Sequence, residues 1–237
     1  MKVLALDTAS KVSTVAIIED NKLIGEFTVN SSKTHSKMLM PIIDEVLKYT
    51  ETELDEIDYI AVSSGPGSFT GLRIGAATVK GIAHGKNIPI IGVPTLDGLA
   101  HNVIYTDMYI CPIIDAKRNE VFAAIYKSNK EKINMISEHE LINIDELMFK
   151  LEELDSDIIF VGDAVEVQQD RIKELLGEKA IFGMHTVNMQ KASSIGLAAF
   201  EYIDQGIVNN YINFEPIYLK KSQAEIERED NERKKSN

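Results

Sequence analysis

The sequence predicts an α/β protein built from two tandem β-β-β-α-β-α halves. Three observations carry this expectation. Short continuous apolar runs alternate with stretches of helical spacing, the pattern of buried strands covered by helices. A pair of β-rich segments joined by a polar turn occurs at the start and again after Tyr105. The order of elements after each pair is the same, although the residues themselves do not repeat.

In the first half, Val3–Leu6 is a continuous apolar run. Val12–Ile18 and Leu23–Val29 flank the polar turn at residues 19–22 and read as a hairpin. Ser36–Tyr49 has helical spacing, with Leu39, Ile42, Ile43, Val46 and Leu47 on one face. Ser36 is the expected N-cap, and Pro41 predicts a late start or a kink. Asp58–Val62 is a strand that opens into SSGPGSFTGLRIG, residues 63–75. A helix over 70–85, a strand over 89–93 and a helix from Thr95 complete this half, residues 1–104.

The second half, residues 105–221, begins with strands at Met108–Ile114 and Glu120–Tyr126, and a third is expected at Lys132–Ser137. Asp145–Leu154 is helical, Asp157–Val161 is a strand, and helices follow at Val165–Leu176 and Ser193–Ile203. The last segment of this half is free to pack back on the first. Residues 222–237 are almost wholly charged or polar, with Ile226 the one large apolar side chain, and are expected to be disordered or frayed.

Composition excludes several functions. The net charge of −12 repels a phosphate backbone, so any RNA would be met by basic surface on another chain. Cys111 is the single cysteine, which rules out an intramolecular disulfide and a cysteine-based zinc site. It lies in an apolar run before Pro112, where packing is the expected role. No apolar run approaches the ~20 residues of a membrane span. The start, MKVLALDTAS, reads as a first buried strand of a cytoplasmic protein and is too short in apolar residues for a signal peptide.

Two tandem halves of this order resemble the actin–hexokinase–Hsp70 superfamily, which is ribonuclease H-like. There nucleotide lies between the halves. Its phosphates are held by the turns after the first strand of each half, its adenosine by a glycine pair late in the second. The resemblance implies a degenerate nucleotide site of Asp7, Thr8 and Ser10 in the first turn, Asp115 in the second and Gly162 in the late turn. Ala9 stands where glycine would let amides approach an anion. Lys117 and Arg118 stand where the second turn would carry glycines, and Gly162-Asp163 offers one glycine instead of two. A poor ATPase is expected, with a small-molecule kinase of this fold as the alternative.

Six stretches occur in order along most of the chain: LALDTAS, HSKMLMP, SGPGSFTGLRIG, GVPTLDGLA, IDAKRNEVF and PIYLKKSQAE. Together they resemble the TsaB (YeaZ) family. That resemblance implies a non-catalytic subunit of the bacterial complex that makes threonylcarbamoyladenosine in tRNA. It implies a catalytic TsaD-type partner, a TsaE-type ATPase, and a homodimer when the partner is absent. It also implies tRNA reached only through the complex, no cofactor of its own, and ATP or ADP at a subunit junction at most. The catalytic relative carries His-x-x-x-His on a helix, where ligands four apart share a face. The matching positions here are Thr95 and Leu99, and leucine cannot ligate a metal. His35, His84, His101, His139 and His185 have no partner histidine three or four residues away, so each reads as a surface or capping residue. No catalytic residue and no metal ligand is expected.

The glycine stretch fits neither standard phosphate motif. No lysine follows a G-x-x-x-x-G spacing, and Gly65, Gly67 and Gly71 are one residue too long for G-x-G-x-x-G. A looser nest of amides assisted by Arg73 is one reading. Packing is another. Leu72, Val79, Ile82 and Ala83 form a core face, while Gly71, Gly75, Thr78, Gly81 and Gly85 form a surface of very small residues. Glycine inside a helix costs up to ~1 kcal/mol relative to alanine, and close approach of a backbone accounts for it. That backbone belongs either to the same domain or to a partner. Met38 and Met40 add an apolar outer face on the preceding helix. In the resembling family the first-half helices contact the catalytic subunit or a second copy. The expected interface is Met38, Met40, Gly71, Arg73, Ile74, Gly75, Thr78 and Gly81. A peptidase-like hydrolase has no supporting Ser-His-Asp or His-Glu-His spacing.

Overall fold

A computed structural model describes residues 1–31, 34–130 and 132–220. The first half runs β1 (Lys2–Asp7), β2 (Val12–Glu19), β3 (Lys22–Asn30), α1 (His35–Tyr49), β4 (Tyr59–Gly65), α2 (Phe69–Lys86), β5 (Ile90–Pro94) and α3 (Thr95–His101). The second runs β6 (Tyr109–Asp115), β7 (Glu120–Ser128), β8 (Ile133–Asn143), α4 (Ile144–Glu152), β9 (Ile158–Val161), α5 (Ala164–Leu176), β10 (Ala180–Phe182) and α6 (Ala192–Asp204). Two five-stranded sheets result, with strand orders β3-β2-β1-β4-β5 and β10-β9-β6-β7-β8. Read from the hairpin edge inward, the two orders are the same, so both halves repeat one topology. In each, the first strand pairs antiparallel with the hairpin and parallel with the next strand, as Leu4 opposite Ile17 and Leu4 opposite Ile60 show.

Both faces of each central strand are buried, which is why they read as unbroken apolar runs. In β1, Leu4 and Leu6 face α1 and α2, joining Leu39, Ile43, Val46 and Val79. Val3 and Ala5 face the other way, toward Ile195, Ala198 and Ala199 of α6. In the second half, Cys111 and Ile113 of β6 pack with α4 and α5. Ile110 and Ile114 pack with Leu96, Leu99 and Ala100 of α3. Each half thus covers its own outer face but borrows the last helix of the other half for its inner face. Burial also pushes the Cys111 thiol above its usual range, in keeping with a packing role.

Small residues set the closeness of that exchange. Gly98 of α3 abuts Ile195, and Gly196 of α6 abuts Ile18 and Ala5, so a methyl group at either would force the isoleucine side chain to shift. After α6 the chain returns to the first half. Asn209 pairs with Ile90 at the outer edge of β5, and Phe214 enters the first core. The N–H of Ile217 donates to Ser64 O at 2.7 Å.

Several expectations are corrected. Ser36 is not the N-cap: α1 starts at His35 after Thr34, whose side chain makes no capping bond. Pro41 does not delay the helix but lies inside it, on its exposed side. β8 runs to Asn143, six residues past the expected end. The three-residue β10 was not expected at all, being too short to show periodicity. The expectation of a disordered tail at 222–237 lies outside the described residues.

Candidate functional site

The turns after β1 and β6 meet at the junction of the halves. Ser10, Asp115 and Gly162 line one cleft there, with Lys117, Glu166 and Gln190. Asp7 and Thr8, expected beside them, do not line it. Asp7 is 1% exposed, and its Oδ1 accepts the N–H of Ala9 at 2.7 Å. Thr8 is fully buried and donates from Oγ1 to Gly71 O at 2.8 Å. Gly162 has φ +110°, and an added Cβ would collide with the carbonyl of Ile113, so only glycine fits.

The second turn holds three consecutive left-handed residues, Lys117, Arg118 and Asn119, with φ of 68°, 58° and 61°. Lys117 folds back to pair with Asp115 through its Nζ, and its N–H donates to the same carboxylate at 2.8 Å. Burial opposes ionisation of Asp115, but the bonds from Lys117 outweigh it and hold the carboxyl below the usual range. Of the two carboxylates expected to face a nucleotide, Asp115 is engaged by Lys117 and Asp7 is sealed behind the surface.

Burial pushes the Asp7 carboxyl up to about 6, against the opposing bond from Ala9. The native state therefore holds this proton more tightly than the unfolded chain. Stability from this group is full below about pH 4 and declines as the pH rises to about 6. Asp7→Asn is expected to gain about 3 kcal/mol over the parent at pH 7 and nothing near pH 3. Urea denaturation across this range measures it, and a pH-independent difference would contradict it.

The glycine stretch divides by function. Ser68 caps α2, its Oγ accepting the N–H of Gly71 at 3.2 Å, and its own N–H donates to Ala9 O at 2.6 Å. Gly71 is pressed on the carbonyl of Thr8, and a Cβ at Gly75 would lie 2.6 Å from Thr8 Oγ1. Both are buried, so as partner-facing residues Gly71 and Gly75 are corrected: the backbone they admit is that of the same chain. Met38 and Ile74 are likewise half-buried on the first core. Gly81 faces open space, Thr78 is half-buried, and Met40 is 50% exposed. Arg73 is exposed, with its guanidinium 4.0 Å from the ring centre of Phe69.

A polar cluster joins α3, the second sheet and α6. Asp97 Oδ1 accepts from Tyr126 OH at 2.6 Å and sits 2.8 Å from His139 Nε2. Its Oδ2 accepts from Tyr202 OH at 2.5 Å. Burial opposes its ionisation, yet the bonds from His139, Tyr126 and Tyr202 hold the carboxyl below the usual range. Sequence reading missed this cluster, since its members are far apart in the chain. It also took His139 and His35 for surface or capping residues. His35 instead ties α1 to the first turn, with Nδ1 2.6 Å from Ser13 Oγ and Nε2 2.8 Å from Ser10 O.

Thr95 and Leu99 are both buried between α3 and its neighbours, and Thr95 Oγ1 has no hydrogen-bond partner among the described residues. Among the described residues no group of three or more His, Cys, Asp or Glu could hold a metal, and no helix is long and apolar enough to cross a membrane.

The repeated topology and the exchanged helices define a tandem actin-like protein. A family model described as TsaD, tRNA N6-adenosine threonylcarbamoyltransferase, matches residues 23–228. The chain is 28% identical to the tRNA threonylcarbamoyladenosine biosynthesis protein TsaB of Bacillus subtilis, over 95% of this chain and 96% of that one. It is 28% identical to the Escherichia coli protein of the same name, over 94% and 96%. YeaZ from Pseudomonas aeruginosa has the same fold, with a TM-score of 0.77 at 21% identity, covering 92% of this chain and 99% of that one. The chain belongs to the TsaB (YeaZ) family.

Proposed function

We propose that this chain is a non-catalytic subunit required for threonylcarbamoylation of N6 of the tRNA adenosine beside the anticodon. It acts by docking a related catalytic, metal-dependent TsaD-type subunit and ordering that subunit's site. The likeness to TsaB proteins along nearly the whole length carries this reading. Thr95 and Leu99, where a catalytic relative would place histidines, support a role without chemistry of its own. A TsaE-type ATPase completes the assembly, tRNA is engaged within it in the cytoplasm, and the isolated chain forms a homodimer. In this reading ATP or ADP binds at a junction with a second subunit.

Reconstitution tests this. Purified tRNA, the threonylcarbamoyl-AMP carrier and the catalytic subunit are assayed with and without this chain. Stimulation by the chain, and no modification by it alone, is the expected result. Activity of the chain alone, or no effect on the others, would overturn the reading.

The docking face follows from the outer sides of α1 and α2. Met40 is exposed, and Gly81 has open space above it. Met40→Glu is expected to leave the monomer's Tm unchanged, and Gly81→Glu to leave it at or slightly above the parent's, because glutamate is the better helix former. Their affinity for the catalytic subunit should fall tenfold or more, because a charge would be buried without a partner. Normal affinity by calorimetry would place the interface elsewhere.

A further inference from the structure

We propose that a cleft between α3, α6 and the segment joining the two halves binds a small primary amine with an apolar body. The turns described above follow β1 and β6 at the far ends of those strands. This cleft lies at their opposite ends. Asn21, in the β2–β3 turn beside the start of β1, and Met108, just before β6, both line it. The cleft encloses about 730 Å³, within the ~300–1,000 Å³ of small-molecule sites. Val103, Ile104, Ile159 and Leu197 line it as half-buried apolar side chains, together with buried Phe200.

The open polar group of the cleft is His101, whose side chain is 8% exposed. Its Nδ1 lies 2.8 Å from Asp97 O, and a carbonyl only accepts, so Nδ1 carries the proton. In the neutral ring Nε2 is then an acceptor, and it has no hydrogen-bond partner among the described residues. A buried acceptor without a donor is costly. Glu201 Oε1, from another lining side chain, lies 3.6 Å from Nε2, and two acceptors cannot bond each other. A single ammonium placed about 2.8 Å from both atoms would give each its own N–H. Asn102, by contrast, is already satisfied by Val187 O, Met189 O and Ser194 Oγ. Charge selects a cation over a neutral donor. Glu201 and Asp204 line the cleft against one cation, Lys132, which is exposed. Tyr105, 85% exposed, adds an aromatic ring, a further partner for a cation.

This binding is a property of the chain alone and does not depend on the scaffold reading. The full chain is titrated by calorimetry with hexylammonium, hexanol, hexanoate and methylammonium. Hexylammonium is expected to bind about tenfold or more tighter than the other three. Hexanol lacks the charge, hexanoate reverses it, and methylammonium lacks the apolar chain. Glu201→Gln, which keeps the shape and removes the charge, should weaken hexylammonium binding about fivefold or more. His101→Phe, which keeps a ring and removes the acceptor, should do the same. Asp44→Asn on α1, across the first sheet from α6, is the distant control. If His101→Phe does not fold, as judged by its Tm, Glu201→Gln at its half-exposed position carries the test. No binding of hexylammonium at millimolar concentration, equal binding of hexanol, or affinity that both cleft variants leave unchanged would overturn the proposal.

Discussion

Asp97→Ala is expected to destabilise the protein by about 3 kcal/mol, because it removes the one acceptor shared by a buried tyrosine and two half-buried partners. Tyr126, His139 and Tyr202 come from β7, β8 and α6, and all converge on this carboxylate from α3. Loss of the carboxylate leaves the Tyr202 hydroxyl without its acceptor, and leaves Tyr126 OH and His139 Nε2, 2.8 Å apart, with only each other. For a chain of this size the Tm should fall by roughly 10 °C. Tyr202→Phe, which removes one donor, should cost about 1–2 kcal/mol. The pH dependence has the opposite sign to that of Asp7. The native carboxyl of Asp97 is held below its unfolded value, so its contribution is full above about pH 4 and is lost as the pH falls through the native value. Chemical denaturation of Asp97→Ala and the parent at pH 3 and pH 7 checks both points. A cost unchanged at low pH would mean that packing, not the charged cluster, accounts for the loss.

Gly71→Ala is expected to cost about 3 kcal/mol or more, since the new methyl would run into the carbonyl of Thr8. The obstacle is backbone, so no side-chain rotation relieves it. The displacement would also disturb the bond from Thr8 Oγ1 to Gly71 O. Gly81→Ala, nearly three turns further along the same helix, faces open space and should gain a few tenths of a kcal/mol to about 1 kcal/mol from helix propensity. The pair separates an intramolecular glycine from a surface one. Thermal unfolding of both variants decides it, and a Gly71→Ala protein as stable as its parent would refute the packing account.

This contrast also changes how an interface experiment should be designed. A large charged residue at Gly75 would unfold the first half rather than test assembly, because Thr8 lies directly behind it. Met40 and Gly81 are the informative positions.

Much of the architecture was legible from local pattern. Central strands buried on both faces leave unbroken apolar runs, and amphipathic helices leave a 3.6-residue stripe, so element type and order along both halves followed from sequence. Family membership followed from six motifs whose order could be read along the chain. The local chemistry of single positions was legible too. Leu99 cannot ligate a metal, and the spacing of residues 63–75 fits no standard phosphate loop.

What only the tertiary structure decided concerns faces and distant partners. A small-residue stripe on α2 has the same spacing whether it meets its own strand or another protein, and only the position of Thr8 shows that Gly71 and Gly75 look inward while Gly81 looks out. The exchange of α3 and α6 between halves leaves no trace in periodicity, because a stripe says that a face is covered and not by what. Asp97 gathers partners 29, 42 and 105 residues away. Local sequence determines which surfaces must be buried, whereas the folded chain alone determines which residues share them.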